Sequence, residues 1–182
     1  VGPRPSELLT PAAFRNAQVV LQAIGGSTNG LIHLTAIANR TEHRIDLAAF
    51  DQLGRDVPVL IDLKPSGSHY MEHFHHAGGV PKLMKQLGDL IDLDAKTIAG
   101  GTLRDVVANA EEVPGQDVIR PRRKPIKPEG AMAVLHGNLA PRGAVLKPSA
   151  AKPPLLQHPG RAVVFESVEN VTLRVDDPAL DV

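Results

Sequence analysis

Apolar residues recur at helical spacing through the first part of the chain, and three such segments carry start signals. The first predicted helix covers residues 11–24, with Thr10 as its N-cap and Pro11 at its first position. The segment 31–38 is apolar nearly all round, which is typical of a buried helix. A third helix is expected from the capping residue Asp46 through Leu53.

The pattern changes at residues 57–63, where VPVLIDL forms a continuous apolar run of strand length. Such a run predicts a strand that is buried on both faces. Further helices are expected over 68–77, from Pro81, and from Thr102 to about Ala110. The alternation of helix, strand and helix predicts an α/β layer.

Residues 114–130 combine prolines with five basic residues, namely Arg120, Arg122, Arg123, Lys124 and Lys127. They could form an anion-binding patch, but the pattern favours a solvated, proline-stiffened connector, since charge runs are usually solvated. Beyond them, strands are predicted over 131–139, 143–147 and 161–166, followed by a short helix from Ser167.

The predicted fold is therefore α/β: the end of a layered α/β/α region at 1–113, a Pro/basic linker at 114–130, and the start of a β-rich, barrel-like domain at 131–182.

Composition narrows the class of protein. Of 182 residues, 42% are hydrophobic, which is enough for a core, and 20 basic residues balance 20 acidic ones. This balance argues against a partner that is a nucleic acid or an anionic membrane. No apolar run approaches the roughly 18 residues of a membrane span and no signal peptide is visible, so a soluble, cytoplasmic protein is expected. The absence of cysteine excludes disulfides and thiolate-ligated metal or iron–sulfur sites within these residues.

The stretch Gly25-Gly26-Ser27-Thr28-Asn29 is the first candidate for chemistry. Two glycines allow a turn, and short polar residues then open the apolar helix that follows. Backbone N–H groups and hydroxyls at a helix N-terminus favour an anion such as a carboxylate or phosphate. An ordinary helix start capped by Ser27 or Thr28 is the other interpretation. Without a lysine after the glycines, the stretch is not a Walker A motif.

A second candidate is the histidine-rich segment 64–79. His69, His73 and His76 would lie on one face of a helix, where imidazoles could bind zinc, copper or nickel. The order of an HExxH motif is missing, so a polar face turned toward a cleft or a partner subunit is favoured. Ser66 and Ser68 lack the elbow pattern of a catalytic serine.

The third candidate is GNLAPRGAVLKPSA at 137–150, which predicts a strand, a tight turn, a strand and a polar loop. Lys147 and Ser149 in this loop could face a carboxylate, or they could close a hairpin at the surface.

These three stretches, in this order, resemble the dihydroxy-acid and phosphogluconate dehydratase family. GGSTN with the following HLTAIA, DVPVLIDLKPSGSHYMEHFHHAGGVPKLMKQLG, GNLAPRGAVLKPSAAKPPLLQHPGRAVVFES and DDPALDV match the family pattern from about residue 6 onward. The GNLAPRGAVLKPSA form is most similar to the branch that acts on sugar acids such as arabinonate and other pentonates.

The resemblance implies a hydro-lyase that converts a 2,3-dihydroxy acid into a 2-keto-3-deoxy acid. In the family an iron–sulfur cluster acts as Lewis acid, Mg²⁺ organises the carboxylate end, and a serine is the base. The family's cluster cysteines, magnesium ligands and serine base match no position here. The chain is therefore interpreted as an internal segment that holds no catalytic residue and binds neither cofactor alone.

Within a cytoplasmic, homo-oligomeric whole enzyme, Ser27, Thr28, Asn29, Lys147 and Ser149 are expected to contact substrate. His69, His73 and His76 would support the site or lie at a subunit interface. The remainder of the polypeptide would be the segment's main partner. The alternatives are a stand-alone metal- or anion-binding module that uses the helix of His69 to His76, and a non-catalytic paralogue that keeps only the fold.

Overall fold

The computed structural model describes residues 2–180, which divide into two compact units, one through Ala150 and one from Ala151. The first unit contains seven α-helices: α1 Pro5–Leu8, α2 Pro11–Ala23, α3 Thr28–Ala38, α4 Leu47–Asp56, α5 Met71–His76, α6 Gly79–Leu87 and α7 Leu103–Ala108. It also contains an antiparallel strand pair, β1 Ala133–Leu135 and β2 Ala144–Leu146. The second unit contains α8, Val168–Arg174.

The helix starts predicted from polar capping residues are confirmed. The Thr10 hydroxyl accepts a hydrogen bond from Ala13 N at 3.2 Å, and Asp46 accepts one from Ala49 N at 2.8 Å. Ser167 caps α8 in the same way. Each cap pairs one of the N–H groups that a helix start leaves without an intrahelical acceptor.

Helix α3 is not buried all round, so that prediction is wrong. Leu31 and Ala38 are buried, but the side chains of Ile32 and Ile37 are 63% and 45% exposed. The helix packs on α2, and Leu31 contacts the cluster of Phe50, Met132 and Val134. Its outer face is therefore an apolar surface of this chain.

The run 57–63 is extended and buried as predicted, with Val57 and Leu60 fully enclosed. It forms single antiparallel bridges to the segment 119–127 instead of a continuous ladder, so the prediction of a regular strand is wrong. Prolines at 121, 125 and 128 lack the N–H that a ladder needs. The described residues are thus a mixed α/β chain, and a layered sheet in the whole domain stays a prediction.

The segment 114–130 has two characters. Four of its five basic residues are exposed, as expected of solvated charges, but Val118 and Ile119 are buried in the main core. Asp62 N donates to Val118 O at 3.0 Å and ties the segment to the buried run. In this chain the segment is therefore packed. The division of this chain into 1–113, 114–130 and 131–182 stays a prediction.

Two clusters of apolar side chains hold the first unit together. The main cluster lies between α2, α5, α6 and the run 57–61, and includes Val19, Leu60, Phe74, Leu83 and Leu87. The smaller one joins α3 and α4 to β1 through Leu31, Phe50, Met132 and Val134.

Beside the smaller cluster, the fully buried Gln22 acts like a strand neighbour toward Met132. Its Oε1 accepts from Met132 N at 2.9 Å and its Nε2 donates to Met132 O at 3.1 Å. These bonds pair two main-chain groups that no sheet ladder serves.

In the second unit α8 begins where it was predicted, but residues 161–166 form no strand, so that prediction is wrong. A strand requires a hydrogen-bonded neighbour, and no strand lies in the described residues 151–180. The expected barrel-like continuation stays a prediction. Across residues 2–180, no helix combines the length and the apolar character needed to cross a bilayer.

Candidate functional site

The turn between α2 and α3 is built from Gly25 and Gly26. Gly25 has φ +70°, a left-handed conformation that side chains disfavour, and it follows Ile24, the C-cap of α2. Gly26 N then donates to Leu21 O at 3.1 Å, which folds the chain back against α2. The turn so formed delivers the three polar residues of the motif to the first positions of α3.

Ser27 is the N-cap of α3, as one of the two interpretations predicted. Its hydroxyl accepts a hydrogen bond from Asn29 N at 3.2 Å, and its carbonyl accepts one from Gly30 N at 2.9 Å. Thr28 is half-buried and Asn29 is exposed at the helix start. The Ser27 hydroxyl thus has a capping role in this chain.

Lys147, near the end of the first unit, contacts this turn. Its Nζ donates to the carbonyl oxygen of Gly25 at 2.6 Å, across 122 positions in sequence. The lysine follows β2 directly, so its starting point is set by the strand pair. The residue that the sequence placed in a candidate carboxylate-facing loop therefore contacts the first motif.

Ser149 joins the same loop to the second motif. Its hydroxyl lies 3.2 Å from the hydroxyl of Ser66, in the loop that follows the buried run 57–61. That loop is folded on Asp62, whose Oδ1 accepts from Ser68 N at 2.9 Å. At Gly67 an added Cβ would lie 2.1 Å from the same Oδ1, so only glycine fits there without a shift.

Three sequence motifs thus meet in one unit, although they are separated by tens of residues. The loop 147–149 contacts the turn of residue 25 through its lysine and the loop 64–68 through its serine. Both contacts use polar groups at the surface of the main core. The arrangement can present a set of hydroxyl, amide and ammonium groups to a polar, anionic ligand.

The strand pair that carries Lys147 is fixed by a carboxylate. Val134 N on β1 donates to Asp51 Oδ1 of α4 at 2.7 Å, and Arg55 contacts the other oxygen at 2.9 Å. The Val134 amide, followed by the Arg55 guanidinium, lowers the pKa of Asp51 below its ordinary value. The carboxylate is therefore charged at neutral pH and ties α4 to the strand pair.

The histidines do not share one helical face, so that prediction is wrong. His69 lies before α5, since Tyr70 is the N-cap of that helix. Its Nε2 lies 3.2 Å from Asp117 Oδ1 and 3.8 Å from Asp62 Oδ2. The backbone of His69 is bonded to Asp62 O and Lys64 N, so the residue is bridged to the preceding run and precedes the first helical turn.

His73 and His76 do lie on α5 with different partners. The Nδ1 of His73 accepts from Tyr70 N at 3.2 Å, and its ring meets that of His69 edge-on with centroids 5.5 Å apart. His76 Nε2 is 3.8 Å from Glu72 Oε1. All three histidines border a surface hollow of about 510 Å³, whose other wall is the segment 113–118.

Comparison with known proteins decides the family. The N-terminal model of the dihydroxy-acid/6-phosphogluconate dehydratases matches residues 2–106, and the C-terminal model matches residues 117–181. The chain belongs to the dihydroxy-acid/6-phosphogluconate dehydratase family. The resemblance drawn from the three motifs is confirmed.

Relatives within the dehydratase family carry two kinds of name. The chain is 48% identical to an L-arabinonate dehydratase of Rhizobium leguminosarum bv. trifolii and 49% identical to an L-arabonate dehydratase of Azospirillum brasilense. These alignments cover 98% and 97% of this chain and 31% of each relative. A dihydroxy-acid dehydratase of Rippkaea orientalis is 47% identical over 91% of the chain and 30% of its own length. The chain thus spans less than a third of the length of these relatives.

The cofactors that the dehydratase family implies do not fit the described residues. The sequence has no cysteine for an iron–sulfur cluster. Within residues 2–180, no three histidine, aspartate or glutamate side chains converge as ligands of a metal ion. No step of a reaction is therefore assigned to a cofactor held by this dehydratase segment.

Two contacts of the site were not predicted from the sequence. The Gly25 carbonyl is an acceptor for Lys147, and a main-chain oxygen leaves no trace in side-chain patterns. Asp117 lies beside His69, although it belongs to a segment interpreted as a linker. The apolar pair Val118 and Ile119 next to Asp117 was the signal that this segment returns to the core.

Proposed function

We propose that the chain is an internal segment of a hydro-lyase that dehydrates a 2,3-dihydroxy sugar acid to a 2-keto-3-deoxy acid. The observation that carries this proposal is the match of two dehydratase models along the chain, together with 48% and 49% identity to L-arabinonate dehydratases. A pentonate of the arabinonate type is the proposed substrate. The whole enzyme is proposed to be a cytoplasmic homo-oligomer.

The segment's proposed contribution is to bind and orient the acid. Ser27, Thr28 and Asn29 open α3, where N–H groups and the helix dipole favour a carboxylate. Lys147 and Ser149 join the neighbouring loops, because Lys147 contacts Gly25 and Ser149 contacts Ser66. Hydroxyls of a sugar acid require such a set of donors and acceptors, since an unpaired buried hydroxyl is costly.

His69, His73 and His76 are proposed to support the site or to face a partner subunit. They border one hollow, and His69 is held between Asp62 and Asp117. The alternative of a stand-alone metal module loses support, because His69 lies outside α5 and the trio does not converge in the described structure. Titration of residues 1–182 with Zn²⁺ or Ni²⁺ tests this alternative, and stoichiometric uptake lost in a His69→Ala, His73→Ala variant would revive it.

The iron–sulfur cluster and Mg²⁺ of the family are proposed to be bound in the whole enzyme by residues outside this segment. When bound, the cluster supplies Lewis-acid assistance to departure of the 3-hydroxyl group. The segment by itself is accordingly proposed to be inactive.

The activity test uses the complete protein that contains this segment. We expect it to convert L-arabinonate into a product with a new keto group, measured as the semicarbazone. Residues 1–182 alone should give no product. Dehydration by the isolated segment would contradict the proposal. So would a complete protein that dehydrates neither sugar acids nor 2,3-dihydroxy-3-methylbutanoate.

The proposed binding role is tested at the two ends of one helix. Asn29→Ala removes an exposed amide at the start of α3, whereas Asn39→Ala removes one at its end. We expect the first variant to raise KM about tenfold through loss of one polar contact, and the second to leave KM unchanged. Equal KM values for both variants would remove this turn from the substrate site.

A further inference from the structure

The contact between Lys147 and Gly25 joins two parts of the protein and involves no substrate. The ammonium group is bonded to a main-chain carbonyl of the turn at 2.6 Å in the chain alone. The lysine is half-buried and directly follows β2. Its bond therefore acts on the shape of the turn.

We propose that Lys147 is a positioning residue, which sets the orientation of residues 25–29 by holding the Gly25 carbonyl. Ser149 acts likewise on the loop 64–68 through the hydroxyl of Ser66. The inference rests on the proposed function only where it links this turn to substrate binding. Its structural part, control of the turn by Lys147, stands without it.

The carbonyls at the end of α2 show why a lysine is required. Leu21 O accepts from Gly26 N and Ala23 O accepts from Leu60 N, both in well-formed bonds. Gly25 O lies two residues after Ala23 O, where the chain has left the helix, and its donor is Lys147. The C-terminal end of a helix carries partial negative charge, so a cation is favoured there over a neutral donor. An ammonium–carbonyl bond is also stronger than a neutral one.

The strand pair that precedes Lys147 is held by more long-range contacts than the turn of residues 25–29. Strand β2 pairs with β1 from Ala133 opposite Leu146 onward, and β1 is bonded to α4 through Asp51. Just before β1, the chain is bonded to α2 through Gln22. The turn makes four local bonds, donated by the amides of Gly25, Gly26, Asn29 and Gly30, and none of them reaches further than five residues along the chain. When the bond from Lys147 is removed, the turn should therefore move and the strand pair should stay.

The first test is hydrogen exchange in the complete protein without substrate. Lys147→Met removes the donor and keeps much of the apolar stem, Lys147→Arg keeps a cationic donor, and Lys124→Met changes an exposed lysine as control. We expect the amides of Gly26 and Gly30 to exchange about tenfold faster in K147M, with recovery in K147R and no change in K124M. Exchange within about twofold of the parent in K147M would overturn the proposal.

The second test links the turn to the acid. K147M should raise KM for the sugar acid with a smaller change in kcat, because a misplaced turn weakens binding before and during the reaction alike. Faster exchange with unchanged KM would contradict the link to substrate but not the hold on the turn. If the parent protein shows no dehydratase activity, the proposed function fails while the exchange result still decides the role of Lys147.

If K147M does not fold, Lys147→Gln replaces it in both experiments. Glutamine is shorter and uncharged, so it should lose the bond at 2.6 Å while keeping a polar tip. The same faster exchange at Gly26 and Gly30 is expected, and unchanged exchange overturns the proposal.

Discussion

Gln22 offers the sharpest test of how the first unit is held together. Its side chain is fully buried and makes two hydrogen bonds with the main chain of Met132, at 2.9 and 3.1 Å. Gln22→Met keeps a similar volume but removes both bonds. The N–H and C=O of Met132 are then left without partners in a buried place.

The magnitude follows from those two groups. Each buried polar group left unpaired costs about 1–3 kcal/mol, so the free energy of unfolding should fall by about 2–6 kcal/mol. Met is flexible and apolar, hence little of this loss is due to a cavity. Gln52→Met on the exposed side of α4 is the matched control, with an expected change below about 0.5 kcal/mol.

The assay is urea unfolding of the parent and both variants, with hydrogen exchange of the Met132 amide as the local measurement. We expect Q22M to unfold at lower urea with an unchanged slope, and the Met132 amide to lose protection. The reasoning is refuted if Q22M and Q52M unfold at the same urea concentration. It is also refuted if Q22M is less stable while the Met132 amide keeps its protection, because the loss would then have another origin.

Three further outcomes are expected from stability measurements. Asp51 has a lowered pKa, so its charge stabilises the fold above the ordinary value of 3.8 and this contribution is lost as the pH falls through and below that value. Asp51→Asn should lower the free energy of unfolding by about 1.5–3 kcal/mol near neutral pH. On acidification the variant should lose less stability than the parent, and an equal loss would contradict this role of Asp51. Gly67→Ala should lower the free energy of unfolding by about 1–3 kcal/mol, because its added Cβ meets the Asp62 carboxylate. In the control Gly137→Ala the added Cβ meets nothing within 4 Å, so the melting temperature should not change. Glu112→Gln should destabilise by leaving the buried ammonium of Lys82 with no carboxylate, and adding Lys82→Met should restore stability; a double variant no better than the single one speaks against this pairing.

Local signals in the sequence were sufficient for most helices. Thr10, Asp46 and Ser167 each cap the helix predicted from them, because a cap acts within one turn of chain. The strand pair near residues 133–146 also lies inside its predicted segments. These features depend on residues close in sequence.

The errors arose where the outcome depends on a distant partner. The run 57–63 has the composition of a central strand, but the segment it meets carries prolines and pairs only at isolated points. Residues 161–166 have strand composition and no neighbouring strand in their unit. Burial of α3 was overestimated because apolar composition alone does not show how many sides a helix packs against.

The site was partly accessible from sequence. The motifs around Gly25, Ser66 and Lys147 were recognised as candidates, and the structure brings them together. Which atoms meet was not accessible, because the decisive acceptor is a main-chain oxygen and the donor lies 122 residues away. The substrate roles of Ser27, Thr28 and Asn29 stay predictions.

The buried contacts of residues 118–134 bear on how dehydratases of this family can be recombined. The N-terminal family model ends at residue 106 and the C-terminal one begins at residue 117, so a chimaera could be designed with its crossover in this gap. Such a crossover would pair the run 57–61 and Gln22 of one parent with the segment 118–132 of another, across a shared core. A crossover beside Ala150, where the first compact unit ends, keeps those contacts within one parent. Hybrids joined beside Ala150 should therefore yield more soluble protein than hybrids joined near residue 110.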